Sequence, residues 1–200
     1  MPVVFVVDDD QDARDSICAL VRSMGLPCQP YASADHFLQQ FDPALPGCLV
    51  TDLRMRGTSG LELLQQLHAR RSSLPAIVIS AFAGVENTVR AMKLGAVMVL
   101  PKPYRDQELW ESVQDALKRN QEIRENLANR DKLQQRFAAL TEGERDVLEL
   151  IVTGVPNKTV AKRLDISVRA VEDRRRRIMK KLNVDSFARL MEMVLTIRQA

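Results

Sequence analysis

The sequence predicts an α/β doubly wound fold with a five-stranded parallel sheet, followed by a small all-α domain. Short apolar runs alternate with helical spacings through the first 120 residues, as in parallel sheets that helices cover on both faces. Only helical spacings follow. The charge also changes sign, because residues 1–120 carry 12 basic and 14 acidic residues whereas residues 121–200 carry 17 and 12. We therefore expect two domains with different partners.

The predicted strands are short segments, most of them apolar. The first, Val3–Val7, has no polar residue and stops at Asp8, which indicates a strand that is buried on both faces. The others are Cys28–Tyr31, Cys48–Thr51, Ala76–Ser80 and Val97–Leu100.

Helical spacing of apolar residues follows each strand. Ser33 is a predicted N-cap, and Gly25 and Gly95 are predicted helix ends. From about Gln107 to Leu140 there is no Gly or Pro, which predicts a long helix. Its heptad pattern is weak, so a linker helix with coiled-coil character and a charged, solvated helix are alternatives. The predicted organisation is a domain at 1–120, a helical linker at 121–137 and a helical domain at 138–200.

The C-terminal part of the chain contains four predicted helices. Thr141 and Glu144 fit a capping box at the start of the first, and Asn157 is the predicted cap of the second. A tight turn at 165–167 precedes a long basic helix over about 168–182, and Asp185 begins the last helix.

Composition excludes several classes of protein. Hydrophobic residues make up 46% and charged residues 28%, the balance of a soluble globular protein. No apolar run reaches the roughly 18 residues of a membrane span, and the N-terminal segment lacks the basic region of a signal peptide. Cys18, Cys28 and Cys48 have no CxxC spacing, so we expect buried thiols rather than a disulfide or zinc site. The sequence therefore predicts a cytoplasmic protein without a membrane partner.

Chemically reactive side chains fall at the carboxyl ends of the predicted strands. Asp8 and Asp9 follow the first strand, Asp52 the third, Ser80 ends the fourth and Lys102 follows the fifth. Ligands bind at this edge of a doubly wound sheet. Converging carboxylates need a cation, and Mg²⁺ suits such a site. One aspartate can then form an acyl phosphate, while Mg²⁺, the serine and the lysine orient the phosphoryl oxygens. Each residue alone is more often a cap or turn former, but five at matching strand ends indicate a site.

Residues 1–120 resemble the receiver domain of two-component response regulators, which has a flavodoxin-like fold. The matching segments are Val6–Asp10, Thr51–Met55 with Gly60, Ser80–Ala81, Gly95–Ala96 and Lys102–Pro103. The resemblance implies that a sensor histidine kinase phosphorylates Asp52, that Ser80 is the switch hydroxyl, and that Lys102, in a cis bond to Pro103, pairs with the phosphate. It also implies a Mg²⁺ site of Asp52, Asp9 and the backbone carbonyl of Arg54, with Asp8 assisting through water.

The sequence departs from the receiver pattern at three positions. Arg56 stands where proline is usual, Val99 where the family has an aromatic switch residue, and Pro101 directly precedes Lys102. Because valine lacks the leverage of Tyr or Phe, we expect weaker or differently routed coupling between Ser80 and the face formed by the last strand and its flanking helices.

The predicted basic helix has an apolar and a charged face. Val168, Val171, Ile178 and Leu182 mark the apolar face. The opposite face carries Arg169, Glu172, Asp173, Arg176 and Lys180, and the flanking residues suited to phosphates are Arg174, Arg175, Arg177 and Lys181. A solvated charged helix is the alternative, although four consecutive arginines repel one another without a polyanion. With the preceding helix and turn, the pattern predicts a helix-turn-helix that binds double-stranded DNA.

Residues 138–197 resemble the LuxR-type helix-turn-helix domain. The matching segments are Leu140–Leu148, Asn157–Leu164, Ser167, Val171–Glu172, Arg175 and Ile178–Leu182. With the receiver, they imply a response regulator of the NarL/FixJ family, FixJ-like branch, that forms a homodimer on phosphorylation. The family's base-reading positions fall on Glu172, Asp173 and Arg176, where an acid at 173 either accepts from a cytosine amino group or opposes DNA. The last helix is either a dimer surface or ordinary domain core.

Three functions are compatible with these patterns. The first is a transcription regulator controlled by phosphorylation of Asp52, a stoichiometric phosphoacceptor rather than an enzyme. Arg54 and Phe82, two residues after Asp52 and Ser80, then imply a long-lived phosphoryl group and slow self-dephosphorylation. The second is constitutive or phosphorylation-independent DNA binding, which the three departures suggest. The third is an aspartate-nucleophile phosphohydrolase, in which Asp8→Asn rather than Asp52→Asn would abolish activity, but the first domain is short for a substrate pocket.

Overall fold

Five parallel strands form a single sheet: β1 (Val3–Val7), β2 (Cys28–Tyr31), β3 (Gly47–Asp52), β4 (Ala76–Ser80) and β5 (Ala96–Pro101). The computed structural model describes residues 1–81 and 84–198. The strand order is β2-β1-β3-β4-β5, and every neighbouring pair is parallel. The predicted strands are confirmed, each within one residue at either end.

Helices cover both faces of this sheet: α1 (Gln11–Ser23), α2 (Ala34–Gln40), α3 (Gly60–Ala69), α4 (Val85–Lys93) and α5 (Asp106–Ala138). Ser33 caps α2 by accepting a hydrogen bond from the amide of His36. Gly25 and Gly95 follow α1 and α4 with positive φ, the backbone conformation with which glycine commonly ends a helix. The predicted helix ends are therefore confirmed.

Successive strand residues enter opposite apolar layers, as the pleat of a strand requires. In β1, Phe5 packs in one layer with Leu63 of α3, and Val4 packs in the other with Ile17 of α1 and Leu109 of α5. Both layers are continuous beneath the sheet's central strands, so the sheet is buried on both sides. The doubly wound α/β prediction is confirmed.

The chain divides into two units, Met1–Glu125 and Asn126–Ala200. The division falls inside α5, which is helical without interruption, so residues 121–137 are helical. Within the first unit the heptad positions Val113, Ala116 and Asn120 are buried, whereas Leu127 is exposed. The first part of the heptad thus packs within the first unit. No helix in the described part of the chain, α5 included, is long and apolar enough to cross a membrane.

The cysteines differ from the prediction. Cys18 of α1 and Cys28 at the start of β2 form a disulfide, with their Cα atoms 5.6 Å apart. The prediction of three free thiols is wrong for this pair, because the short α1–β2 connection brings the two residues together although their spacing fits no motif. Cys48 is free and buried, as expected, and burial raises the pKa of its thiol to about 12.

The second unit contains four further helices: α6 (Glu142–Ile151), α7 (Asn157–Leu164), α8 (Val168–Leu182) and α9 (Phe187–Arg198). The capping box of Thr141 and Glu144 is confirmed. Two predicted helix starts are wrong. Pro156 rather than Asn157 is the N-cap of α7, because the Asn157 side chain accepts from Arg175 instead. The last helix begins at Phe187 rather than Asp185, with Ser186 Oγ accepting from the Arg189 amide.

A buried asparagine connects α5 to two loops of the sheet. Asn120 Oδ1 accepts from the amide of Gly47 at 3.1 Å, and its Nδ2 donates to the carbonyl of Ser73 at 3.2 Å. Gly47 is fixed beside β1, since a Cβ there would lie 2.0 Å from the carbonyl oxygen of Val3. Asn120 therefore fixes the height of α5 against the start of β3.

Asn120→Ala should lower the free energy of unfolding by about 1–3 kcal/mol, because it leaves a buried amide and a buried carbonyl without their partner. Urea unfolding of the full chain, followed by circular dichroism, measures this change. Gln121→Ala on the exposed neighbouring position is the matched control and should cost less than about 0.5 kcal/mol. Equal losses for the two variants would contradict the assigned role of Asn120.

Candidate phosphoacceptor site and nucleic-acid interface

The sequence-predicted acidic residues meet at the carboxyl edge of the sheet. Asp8 and Asp9 follow β1, and Asp52 ends the adjacent strand β3. This is the point where the strand order reverses and where doubly wound folds bind ligands. Ser80 ends β4 and is buried, and Lys102 follows β5. The bond between Lys102 and Pro103 is cis, as the resemblance implied.

Lys102 places its ammonium between two carboxylates. Its Nζ lies 3.0 Å from Asp52 Oδ1 and 3.6 Å from Asp8 Oδ2. Burial acts to lower the pKa of Lys102, but the hydrogen bond to Asp52 and the charges of both aspartates outweigh it and raise that pKa. The ammonium is therefore the positive charge that this arrangement of carboxylates requires.

Asp8 is the most deeply buried of the aspartates at this edge of the sheet, with 2% of its surface exposed. Burial raises the pKa of its carboxyl, although a hydrogen bond from the Asp10 amide and the charge of Lys102 act in the other direction. Its Oδ2 has no hydrogen-bond partner among the described residues. This buried oxygen, 3.6 Å from the Lys102 ammonium, is a ligand atom that suits a hard cation.

The loop after β3 supplies backbone donors to the other two carboxylates. The amide of Arg54 donates to Asp52 Oδ2 at 3.0 Å, and the amide of Arg56 donates to Asp9 Oδ2 at 3.2 Å. The described residues do not bring three acidic, histidine or cysteine side chains to metal-binding separations. The structure thus gathers Asp8, Asp52 and Lys102 closely, whereas Asp9 pairs with Arg56.

Sequence reasoning missed one residue that supports the site. Arg14 of α1 donates from Nη1 to the backbone carbonyl of Asp8 at 2.7 Å, which fixes the end of β1. Its position six residues after Asp8, in the first turns of a helix, was the available signal. Val99 is half-buried beside the apolar layer that contains Phe5. Phe82 lies outside the described residues.

The basic helix α8 separates into exposed residues and residues that hold the unit together. Exposed residues are Arg169, Glu172, Arg176, Arg177 and Lys180. Asp173 is half-buried; its Oδ1 accepts from Arg176 Nη1 at 3.3 Å, and its carbonyl accepts from Arg177. These residues form one charged surface, as the spacing predicted.

Three of the predicted phosphate-binding residues make contacts inside the second unit. Arg174 donates to the carbonyl of Gly143, and Arg175 donates to Asn157 Oδ1 and lies 5.4 Å from the centroid of the Phe187 ring. Lys181 donates to the carbonyl of Ala139 and forms an ion pair with Glu144 at 2.7 Å. These side chains fix α8 against α6, α7 and α9. These contacts could not be predicted from the sequence, because long basic side chains can reach back over their own domain.

Glu144 is a buried acid that makes two contacts through its carboxylate. It belongs to α6, its carboxylate accepts from the Thr141 amide at 2.9 Å, and it pairs with Lys181. Burial acts to raise the pKa of Glu144, but the hydrogen bonds from Lys181 and Thr141 outweigh it and hold that pKa below its usual value. The carboxylate is therefore ionised at neutral pH and fastens α6 to α8.

The fold and the two sites define a class, proteins with a receiver-type domain joined to a helix-turn-helix. The family model of the response regulator receiver domain matches residues 4–114, and that of the bacterial regulatory proteins of the luxR family matches residues 138–194. The chain belongs to the FixJ-like response regulators, whose class regulates transcription under the control of phosphorylation.

Relatives of known name cover nearly the whole chain. The transcriptional regulatory protein FixJ of Azorhizobium caulinodans is 41% identical over 96% of this chain and 91% of its own length. Nodulation protein W of Bradyrhizobium diazoefficiens is 39% identical over 98% of this chain and 86% of its own. A low-resolution structure of the response regulator StyR is 42% identical, covers 98% of both chains and superposes with a TM-score of 0.89.

Glu144→Gln should lower the free energy of unfolding at pH 7 by about 1–3 kcal/mol, because Lys181 keeps its charge and loses its partner. A carboxyl with a depressed pKa in the folded state stabilises the fold above its ordinary pKa of 4.5. That contribution is lost as the pH falls through the folded-state pKa. Urea unfolding should therefore show a difference between wild type and variant that shrinks towards about pH 3.

Glu142→Gln is the matched control, since Glu142 is exposed in the first turn of the same helix. It should change the free energy of unfolding by less than about 0.5 kcal/mol. A difference for Glu144→Gln that stays constant with pH would contradict the role of the ionised carboxylate.

Proposed function

We propose that a sensor histidine kinase phosphorylates Asp52 and that this phosphorylation controls DNA binding by α8. The carrying observation is the Asp52 carboxylate at the end of β3 with Lys102 Nζ 3.0 Å away, in a chain that also has a LuxR-type domain. Asp52 is also the more accessible carboxylate, since its side chain is 12% exposed and that of Asp8 is 3% exposed. This difference disfavours Asp8 as a hydrolase-type nucleophile.

The chain's own groups prepare Asp52 for phosphoryl transfer. An oxygen of its carboxylate attacks the phosphorus, the phosphorus–nitrogen bond of the kinase's phosphohistidine breaks, and the imidazole nitrogen retains the electron pair. The Arg54 amide fixes the orientation of Asp52, and Lys102 offsets charge on the phosphoryl oxygens. Ser80, at the end of the neighbouring strand, serves as the hydroxyl that contacts the phosphorylated residue.

Mg²⁺ is the proposed cofactor, held by Asp8, Asp9, Asp52 and the backbone carbonyl of Arg54. The buried Oδ2 of Asp8, which has no hydrogen-bond partner among the described residues, supports this assignment. The ion supplies positive charge beside the carboxylates and the phosphoryl group when bound. The protein acts as a stoichiometric phosphoacceptor with slow self-dephosphorylation. The exposed Arg54 side chain, two residues after Asp52, supports restricted access of water.

We assign DNA binding to the charged surface of α8. Glu172, Asp173 and Arg176 are the proposed base contacts, and Arg169, Arg177 and Lys180 are exposed and suited to contact DNA beside them. Arg174, Arg175 and Lys181 reach phosphates only through N–H donors that their contacts within the unit do not use. The five N–H groups of each guanidinium and the three of the Lys181 ammonium allow this. Double-stranded DNA is the partner, and a cytoplasmic location follows from it.

Homodimer formation on phosphorylation is proposed through α4 and β5. Val85, Val89 and Met92 lie at i, i+4 and i+7 on α4, and all three are exposed, as is Met98 on β5. Spaced in this way, the three α4 side chains share one face of the helix. Contiguous exposed apolar side chains mark surfaces that associate.

Val99 favours a second candidate, DNA binding that does not depend on phosphorylation. It is half-buried beside the apolar layer of the sheet, and a β-branched side chain is stiff about its first torsion. It therefore does not swing between inner and outer positions as an aromatic switch residue does. Coupling from Ser80 to α4 and β5 is then weakened.

Beryllofluoride with Mg²⁺ should dimerise the wild-type protein and raise its affinity for operator DNA, and should leave Asp52→Asn unchanged. Sedimentation velocity measures dimerisation, and fluorescence anisotropy measures DNA binding. Asp8→Asn tests the hydrolase alternative in a phosphatase assay.

Val89→Glu should prevent dimerisation without preventing phosphorylation, because it places a charge in the proposed interface.

Two outcomes would change the proposal. Equal DNA binding by wild type and Asp52→Asn, with or without beryllofluoride, would exclude control by phosphorylation. A gain in dimer affinity of more than about tenfold, equivalent to about 1.4 kcal/mol, would show that Val99 does not weaken the coupling.

Asp173→Ala should relax base preference at one position of the operator, because it removes a base-reading acid and frees Arg176 from its 3.3 Å ion pair. Selection of binding sites from random DNA measures the preference at each position. Asp185→Ala, on an exposed loop, is the matched control and should leave the preference unchanged. Asp165→Ala is less suitable because Asp165 has positive φ. An unchanged preference for Asp173→Ala would contradict its role.

A further inference from the structure

Asp9 is held by a single residue of the loop that follows β3. The backbone amide of Arg56 donates to Asp9 Oδ2 at 3.2 Å, and the guanidinium Nε of the same residue lies 3.8 Å from the same oxygen. The two residues are 47 positions apart in the sequence. Arg56 therefore presents two positive or partly positive groups to one carboxylate oxygen.

Asp8 and Asp9 consequently differ although they are neighbours. Asp8 Oδ2 is buried, lies 3.6 Å from Lys102 Nζ and has no hydrogen-bond partner among the described residues, whereas Asp9 Oδ2 accepts a hydrogen bond from the Arg56 amide. In the described part of the chain, three acidic side chains do not converge at metal-binding separations. The pairing of Asp9 with Arg56 is a physical reason for this separation, because it holds one of the three carboxylates towards the loop after β3.

We propose that Arg56 is a positioning residue that competes with Mg²⁺ for Asp9 and so sets the Mg²⁺ concentration at which the Asp52 site fills. The inference rests on the proposed function, since it takes Asp9 as a ligand of the ion. The amide competes by occupying Asp9 Oδ2. The guanidinium competes by charge, because it is a cation beside the place where a second cation binds.

The two contributions differ in strength and in salt dependence. The Arg56 side chain is 97% exposed, so water and salt screen its charge strongly. The amide belongs to the backbone, so every residue except proline supplies it at this position. Substitutions at position 56 can therefore remove the charge alone, or the charge together with the amide donor.

The experiment measures metal binding directly. Mn²⁺ is titrated into the full-length protein, free Mn²⁺ is counted by electron paramagnetic resonance, and Mg²⁺ is added as the competitor. Arg56→Ala should lower the dissociation constant about three- to tenfold at low salt, and less at high salt. Arg56→Lys should stay near wild type, and Arg56→Pro should bind at least as tightly as Arg56→Ala.

Two controls isolate the contact with Asp9. Lys118→Ala removes the same charge from an exposed position of α5 and should leave the dissociation constant unchanged. In an Asp9→Asn background, Arg56→Ala should have a smaller effect than in the wild type, because the part of the competition that acts through the Asp9 contact is absent, and the double-mutant cycle measures that part.

Specific results would overturn the inference. Equal dissociation constants for wild type and Arg56→Ala, or an equal effect of Lys118→Ala, would exclude competition by Arg56 while leaving the Mg²⁺ site intact. Absence of Mn²⁺ binding in every variant would instead overturn the Mg²⁺ site itself and this inference with it. The failure of one proposal is thereby distinguished from the failure of the other.

Discussion

The carboxyl edge of the sheet depends on the ion pairs of Lys102. Asp8 and Asp52 end adjacent strands, so their carboxylates are brought together by the pairing of β1 with β3. Lys102 directly follows β5, which is separated from β3 by β4. Its amide donates to the carbonyl of Ser80 at 2.8 Å, which continues the β4–β5 ladder past the end of the strand. The pairing of β4 with β5 thus positions the Lys102 ammonium beside Asp8 and Asp52, whose carboxylates would otherwise repel each other.

The loop after β3 is arranged around the same carboxylates. The amide of Gly60 donates to the carbonyl of Leu53, and a Cβ at Gly60 would lie 2.1 Å from the carbonyl oxygen of Asp52. Only glycine permits α3 to begin this close to the strand end. The loop between Leu53 and Gly60 is therefore closed, and the amides of Arg54 and Arg56 are turned towards Asp52 and Asp9.

The sequence predicts the patterns that burial imposes. It does not predict contacts that depend on the reach of long side chains or on the direction of backbone groups. The strands were found because continuous apolar runs such as Val3–Val7 have one explanation in a doubly wound sheet. The prediction that the reactive side chains lie together at the strand ends followed from the predicted strands and the parallel sheet they form. The Cys18–Cys28 disulfide was missed because it depends on how α1 returns along the sheet. The Arg56 amide was missed because a residue's identity does not say where its backbone N–H points.

The DNA-binding unit shows the same division within one helix. Helical periodicity predicted the buried face of α8 at Val171, Ile178 and Leu182, since burial sets that pattern. It was wrong for Val168, which is exposed in the first turn of the helix. Periodicity did not distinguish the exposed Arg176 and Arg177 from the basic residues that make contacts within the unit. Those are Arg174, Arg175 and Lys181, which contact α6, α7, the residues before α6 and the start of α9. The count of basic residues in α8 therefore overstates the charge that is exposed on this helix. The remaining basic residues fix the orientation in which the exposed ones are presented, and the ionised, buried Glu144 is the group that holds Lys181 in this role.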